Sequence, residues 1–210
     1  ARFPEKYRKS IFAFDWSFGI IYSFQPQPEG ASYKAKAEEF ISGSPLPLTD
    51  GMIGPDGAMY FLTGGRRLES DLYRVYYGDN TQNTGNLPVA ELSDAQQIRR
   101  KLEAYQGAPK PGAVDFAWPY LKNEDRFIRY AARIVIEHQP VASWQEKALQ
   151  EKDPATLTGA ALALARQGSA NVKDQLLKAL TGINYTQLSE SQQIDLLRAF
   201  ELTLARMGLP

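Results

Sequence analysis

The chain has 210 residues, 43% of them hydrophobic, and its 24 basic and 24 acidic side chains cancel to a formal net charge of zero. This composition predicts a folded core, and it argues against a global field that would attract nucleic acid or an anionic membrane surface. Because the chain has no cysteine and only one histidine, we expect no disulfide, no cysteine nucleophile and no metal site built wholly from these residues.

The first part of the chain, from residue 10 to 79, alternates apolar and polar residues and is broken every few positions by Gly, Pro, Asp or Ser. This pattern is typical of short antiparallel strands. We predict strands at residues 11–14, 20–24, 35–41, 51–54, 58–63 and 72–77. The segments DWSFG, QPQPEGASY, SGSPLPLTD, GPDG and GGRRLESD between them are predicted turns and loops.

From residue 93 the apolar period changes to about 3.6, which indicates helices. The stretch SDAQQIRRKLEAYQG has an N-cap at Ser93 or Asp94 and stops at Gly107. The following QGAPKPGAVD is predicted to be a linker, because its prolines and glycines interrupt regular structure. Further helices are predicted at residues 124–137, 143–150, 155–166, 171–180 and 189–207.

The helical part repeats weakly. The segments that begin at Leu121 and Leu149 can be aligned so that Ala131 and Ala132 match Ala160 and Ala161, and the segment from Leu188 repeats the theme of a polar start followed by Leu and Ala. Helix pairs with small residues at a period of about 30–47 residues are typical of α-solenoids of the HEAT kind. We therefore predict a HEAT-like solenoid, with an unrelated helical bundle as the alternative.

The order of the strands and turns in GPDGAMYF and LYRV is that of a β-propeller blade, and the preceding segment fits the same scheme shifted by one blade. A closed ring needs about four to eight blades, so the others are expected from outside this chain. The predicted class is α+β by segments: an antiparallel β meander of about two propeller blades at residues 1–92, a helix and linker at 93–117, and HEAT-like repeats at 118–210.

In this scheme the loops DWSFG, LPLTDG and GGRRLESD emerge on one face of the propeller. We predict that five of their residues converge on one rim and bind a cofactor or ligand: Asp15, Trp16, Asp50, Arg66 and Arg67. Arginine binds carboxylate or phosphate through a planar fork, aspartate binds a cation or acts as a base, and tryptophan stacks. The alternative is that the arginines pair with Glu69 or Asp71 and only fix their loop.

A second basic cluster lies in DRFIRYAAR, which places Arg126, Arg129 and Arg133 at helical spacing. These residues could form an anion-binding ridge. Because the acidic residues Glu124, Asp125 and Glu137 are interleaved with them, a salt-bridged solvent face is the favoured interpretation. The lone His138 is expected to be structural, and no glycine-rich phosphate loop, HExxH or GxSxG motif occurs.

Four segments, in this order, resemble a known family: YRKSIFAFDWSFGIIYSF, LTDGMIGPDGAMYFLTGGRRLESDLYRVYYGD, IRRKLEAYQG and WPYLKNEDRFIRYAARIVIEHQPVASWQEKAL. They look like the C-terminal part of large secreted proteins of planctomycetes and verrucomicrobia. These proteins are membrane-bound or sorbosone/glucose-dehydrogenase-like β-propellers, followed by HEAT repeats and often by a c-type haem domain. The resemblance covers nearly the whole chain.

The resemblance implies a periplasmic or secreted quinoprotein-dehydrogenase-like protein that oxidises a sugar or alcohol and passes electrons to haem. It implies pyrroloquinoline quinone (PQQ) and calcium in the complete propeller, and haem c on a separate cytochrome c domain. This chain has no CxxCH motif, and the family's catalytic residues map to no position in it. The chain alone is therefore expected to be inactive, and only the orientation of Asp15, Asp50, Arg66 and Arg67 toward the functional rim carries over.

The alternative function is a non-enzymatic propeller and solenoid scaffold, or a binding subunit, of a larger assembly. The expected partners are the remaining blades, from the same precursor or another chain, and no nucleic acid. No membrane span is expected, because no apolar run approaches the ~20 residues that cross a bilayer.

Overall fold

Antiparallel strands fill the first part of the chain and helices the second. The computed structural model describes residues 2–65, 67–78 and 91–209. The chain divides into two units, Ala1–Glu91 and Leu92–Pro210, which we call the sheet unit and the helical unit. The predicted succession of antiparallel strands and then helices is confirmed.

In the described residues of the sheet unit, a short helix, α1 (Glu5–Arg8), precedes six strands. Their bounds are β1 (Ile11–Asp15), β2 (Ile20–Glu29), β3 (Ser32–Ser42), β4 (Leu48–Ile53), β5 (Met59–Thr63) and β6 (Leu72–Val75). They form two antiparallel sheets of three strands each, in the sequence orders β1-β2-β3 and β4-β5-β6. All six predicted strands are therefore present, and the described residues form no closed barrel.

Two predicted loops are strands instead. QPQPEGASY is the tip of a long hairpin, in which β2 continues to Glu29 and turns at Gly30 with φ 54°. Pro26 and Pro28 are tolerated there because β1 pairs with β2 only as far as Phe24, which leaves the rest of β2 with an open edge. The loop LPLTDG is predicted to lead into a strand that begins at residue 51. In the structure the part of this loop from Leu48 onward belongs to β4, which pairs with β5.

The two sheets share one core. Its fully buried members are Phe3, Ile21, Leu48, Met59 and Phe61. Close packing requires a glycine at position 51, because a Cβ there would lie 2.4 Å from Cζ of Phe14. Gly51 thus lets the ring of a β1 residue lie directly on β4.

The described residues of the helical unit, 92–209, form seven α-helices. Their bounds are α2 (Asp94–Glu103), α3 (Ala113–Ala117), α4 (Arg126–Glu137), α5 (Gln145–Gln150), α6 (Pro154–Gln167), α7 (Lys173–Thr181) and α8 (Glu190–Met207). Ser93 is the N-cap of α2: its hydroxyl accepts from the Gln96 N–H at 3.2 Å, and the Gln96 side chain accepts from the Ser93 N–H at 3.0 Å. This capping box accounts for the helix start that the sequence indicated.

The predicted linker QGAPKPGAVD is partly helical. Gly112, with φ 74°, precedes α3, and a 3-10 helix at Trp118–Lys122 continues it. Ala113 and Ala117 lie one turn apart and are buried, and α3 packs against α4. The prolines and glycines therefore interrupt regular structure only up to residue 112, because the tertiary contact with α4 favours a helix after them.

The longer helices form one layer, in which α2 packs against α4, α4 against α6, and α6 against α8. The shorter helices α3, α5 and α7 alternate with them along the chain, and α5 packs against α7. The aligned Ala-Ala pairs of α4 and α6 are at most 2% exposed. Small side chains at these positions let neighbouring helices approach closely.

A buried carboxylate joins two helices of this layer. Glu137 of α4 is 8% exposed and lies 2.9 Å from Nε of Arg166 on α6 and 3.4 Å from Nε of Arg133. We expect Arg166→Met to lower the free energy of unfolding of the helical unit by about 1–3 kcal/mol, because it removes the closer hydrogen-bond partner of the buried Glu137 carboxylate. Chemical denaturation followed by circular dichroism measures this change.

The matched control is Arg198→Met, which removes an exposed pair with Glu201 and should change stability by less than about 0.5 kcal/mol. The double variant Arg166→Met with Glu137→Gln should be more stable than Arg166→Met alone, since no carboxylate is then buried. Equal stability of Arg166→Met and the unmodified chain would contradict the prediction.

Candidate functional site

Two of the loops predicted to form the rim do meet. The Trp16 indole N–H donates to the carbonyl oxygen of Gly64 at 3.0 Å, and its ring lies 3.2 Å from the position that a Cβ on Gly65 would take. Asp15 ends β1 and fixes the adjoining turn, because its Oδ1 accepts from the N–H groups of Ser17 at 2.9 Å and Phe18 at 3.0 Å. The DWSFG loop is therefore anchored on the GGRR loop, with Trp16 still 53% exposed.

The other predicted rim residues are less closely linked. Arg67 is exposed in a tight turn, with φ 65° and a hydrogen bond from the Leu68 N–H to the Gly65 oxygen, and it has no ion pair with a described carboxylate. Arg66 lies outside the described residues. Asp50 lies within β4, where its Oδ1 accepts from the Gly51 N–H at 2.8 Å. Among the described residues, no hydrogen bond or ion pair joins Asp50 to Trp16 or Arg67.

The turn GPDG carries an interaction that the sequence pattern did not indicate. Asp56 caps the turn by accepting from the Ala58 N–H at 3.2 Å, and its Oδ2 also accepts from Arg74 at 2.7 Å and from the Tyr60 hydroxyl at 2.9 Å. Arg74 lies 5.1 Å from the centre of the Tyr76 ring. Arg74 lies on β6, 18 residues from Asp56. Only the register of β4, β5 and β6 therefore brings these groups together.

The helical unit contains a surface groove of about 500 Å³, which we call the arginine groove. Helix α6 is its floor, through Ala155, Thr158, Gly159 and Leu162, which recur on one helix face. Helices α4 and α8 are its walls, since both pack against α6. The groove exists because the central floor residues, Ala155 and Gly159, are too small to fill the space between the walls.

The α4 wall is basic. Arg126, Arg129, Tyr130 and Arg133 line the groove at the spacing of one helix face. The Arg129 guanidinium donates to the backbone carbonyls of Asn123 at 2.9 Å and Glu124 at 3.0 Å. Neither Arg126 nor Arg129 has an ion pair with any carboxylate in the part of the chain that the structure describes.

The favoured interpretation of these arginines, a salt-bridged solvent face, is therefore wrong for two of the three. Only Arg133 has a carboxylate partner, Glu137 at 3.4 Å, and Arg166 contacts the same carboxylate more closely, at 2.9 Å. The predicted helical spacing of Arg126, Arg129 and Arg133 is confirmed, because all three lie in α4. What the sequence could not show is that backbone carbonyls, rather than the neighbouring acidic side chains, hold Arg129.

The opposite wall is mostly polar and uncharged. It consists of Leu188, Ser189, Ser191, Gln192 and Asp195, at the start of α8. Including the rim residues Lys122 and Glu124, four basic and two acidic side chains line the whole groove. Because Lys122 also pairs with Asp153, the unpaired positive charge is concentrated on Arg126 and Arg129.

His138, the only histidine, has a structural contact. Its Nδ1 accepts from the Gly107 N–H at 3.0 Å, which ties the segment after α2 to the end of α4. Among the described residues, no three histidine or acidic side chains lie close enough together to hold a metal ion. None of the described helices has the length and apolar character needed to cross a bilayer.

Comparison of the chain with protein-family models, with curated proteins and with solved structures finds no match. Its function must therefore be argued from the geometry of its own surfaces.

The Asp56 and Arg74 pair gives a testable pH dependence. The hydrogen bond from Arg74 lowers the pKa of Asp56 to about 2, from an ordinary 3.8. Since this pKa is lower in the folded chain, the stabilisation by the pair is complete above the ordinary pKa and is lost as the pH falls from about 3.8 to about 2. We expect Arg74→Gln to raise the pKa of Asp56 toward 3.8, as measured by NMR titration of its carboxyl carbon.

The matched control is Arg67→Gln, which removes an exposed arginine of the loop between β5 and β6 that has no described hydrogen bond or ion pair with Asp56, and it should leave this pKa unchanged. An unchanged Asp56 titration in Arg74→Gln would contradict the assignment of Arg74 as the main cause.

Proposed function

We propose that this chain is a non-enzymatic binding module of a larger assembly, and that the arginine groove takes up a segment of a partner protein. The observation that carries this proposal is the groove itself: it measures about 500 Å³, its floor includes Ala155 and Gly159, and two of its three wall arginines have no ion pair with a described carboxylate. Pockets that bind small molecules typically measure about 300–1,000 Å³, so the groove has room for a few side chains of a bound segment.

We further propose that the helical unit is a HEAT-like solenoid. The alternation of long and short helices, with each long helix packed against the next long one, supports this assignment. In such an arrangement successive helices of one layer expose a continuous surface, which is how solenoids bind extended protein segments. The arginine groove crosses three successive long helices and would be part of that surface.

The test fills the groove without changing its charge. Ala155→Leu places a larger side chain on the groove floor, whereas Ala205→Leu makes the same change at an exposed position of α8 outside the groove. Random short peptides displayed on phage are selected on the unmodified chain, and the enriched peptides are synthesised. We expect their affinity to fall at least about ten-fold in Ala155→Leu and to stay unchanged in Ala205→Leu.

The proposed function would be refuted if the enriched peptides bound Ala155→Leu as tightly as the unmodified chain, or if the selection enriched no peptide. Circular dichroism and thermal unfolding of both variants establish that the helices are intact. If Ala155→Leu unfolds, Gly159→Ala replaces it, since a Cβ there lies at an ordinary 3.4 Å from Cδ2 of Leu121.

A second candidate function is supported by the sheet unit: the closing blades of an extracytoplasmic, quinoprotein-dehydrogenase-like propeller. Met52, Leu62 and Leu72 lie on the face of β4-β5-β6 away from the shared core, and they are 67%, 46% and 66% exposed. On the other sheet Ile11 is 63% exposed. An apolar outer face, as on β4-β5-β6, is expected of a blade that stacks against a further blade.

This candidate keeps the cofactors and partners that the resemblance implies: PQQ and calcium in a complete propeller, haem c on a cytochrome c domain, and a periplasmic or secreted location. Asp15, Trp16, Asp50, Arg66 and Arg67 would then face the functional rim. The chain alone should not oxidise glucose or alcohols with PQQ, calcium and an artificial electron acceptor. The native assembly with its remaining blades should do so, and an active assembly that contains no quinone would reject this candidate.

A further inference from the structure

We propose that the segment bound in the arginine groove is acidic: a short stretch of a partner protein in which glutamate or aspartate alternates with apolar residues. This inference rests on the proposed function and specifies the chemistry of the ligand. It follows from the arrangement of three guanidinium groups beside an apolar strip.

The first argument is the charge. Arg126, Arg129 and Arg133 spread three guanidinium groups over about 10 Å along α4, at 1.5 Å rise per residue. Because two of them have no carboxylate partner among the described residues, a bound carboxylate replaces water rather than an existing ion pair. The acidic groups that also face the groove, Glu124 at its rim and Asp195 on the opposite wall, are fewer than the basic ones.

The second argument is that Arg129 is held in position. Its Nη1 donates to two backbone carbonyls, of Asn123 and Glu124, which fixes the plane of the guanidinium. The remaining N–H donors of this group are then left for a ligand. An arginine held in this way loses little side-chain entropy when it binds a carboxylate with two parallel hydrogen bonds.

The third argument is the apolar strip. Tyr130 is 59% exposed, and it lines the groove together with Leu162 and Leu188. A purely anionic ligand would leave these side chains in water. An extended segment presents alternate residues to opposite sides at about 3.3 Å per residue, so it can direct carboxylates to the arginines of the α4 wall and apolar side chains to Leu162 on the floor and Leu188 on the opposite wall. Nucleic acid fits this division less well, because its charges are not interleaved with aliphatic groups.

The experiment measures the binding of two labelled peptides by fluorescence anisotropy. One peptide alternates Glu and Leu, and the other alternates Gln and Leu with the same length and label. We expect the Glu peptide to bind at least about ten-fold more tightly, and the difference to shrink as NaCl is added, because salt screens exposed charges. Equal affinities of the two peptides would overturn the inference.

The variants locate the site. The double variant Arg126→Gln with Arg129→Gln should bind the Glu peptide at least about ten-fold more weakly than the unmodified chain. Arg100 and Arg198 are exposed arginines outside the groove, so the control double variant Arg100→Gln with Arg198→Gln should bind the peptide as tightly as the unmodified chain. Because Arg129 also bonds the backbone, Arg126→Gln is tested alone as well and should weaken binding in the same direction. Equal loss in the two double variants, or binding that Ala155→Leu leaves intact, would place the peptide elsewhere and reject the inference.

Failure of this inference is distinguishable from failure of the proposed function. If the peptides from the phage selection are sensitive to Ala155→Leu but are neutral or basic, the groove binds a protein segment of another chemistry and only the acidic character is wrong. If neither those peptides nor the Glu peptide respond to Ala155→Leu, both proposals are wrong. A single-stranded oligonucleotide that binds the groove more tightly than the Glu peptide would also reject an acidic protein segment.

Discussion

The small side chains of α6 are the constraint on which the helical unit depends. This helix lies between α4 and α8, and it also contacts α5 and α7, so almost every face of it is covered. Ala160, Ala161 and Ala163 are fully buried, and they let the neighbouring helices close around a single central helix. On the remaining face, Ala155 and Gly159 leave a depression. The same composition therefore produces both the tight core and the arginine groove.

The sequence predicted local structure well, because local signals control it. The capping box at Ser93 and the alternation of apolar and polar residues in the first part of the chain are each formed by residues close together in the sequence. The errors occur where tertiary contacts override those signals. Two prolines lie in β2 because β1 pairs with β2 only as far as Phe24. A helix forms after Gly112 because that helix, α3, packs against α4. Neither the end of β1 pairing nor the position of α4 is visible from the residues of those segments.

The candidate sites show the same contrast between local and tertiary signals. The sequence placed the DWSFG and GGRR loops together, and the structure joins them through Trp16 and Gly64. The Asp56 and Arg74 pair was missed because only the register of three strands brings its members together. The spacing of the three arginines on α4 was evident, but their surroundings were not. An exposed ridge of arginines and a groove wall have the same sequence pattern. Which of the two forms depends on whether the neighbouring helices leave a space beside the arginines.

A net charge of zero can conceal a basic surface when the acidic side chains are used elsewhere. Near the groove, Asp125 and Asp153 cap α4 and α6 by accepting hydrogen bonds from backbone N–H groups, and Glu137 is buried between two arginines. These carboxylates stabilise helix ends and helix packing, so they are not positioned to pair with Arg126 or Arg129. The balance of charges over the whole chain therefore gives no guide to the arginine groove, where basic groups outnumber Glu124 and Asp195 because several nearby acids have structural roles.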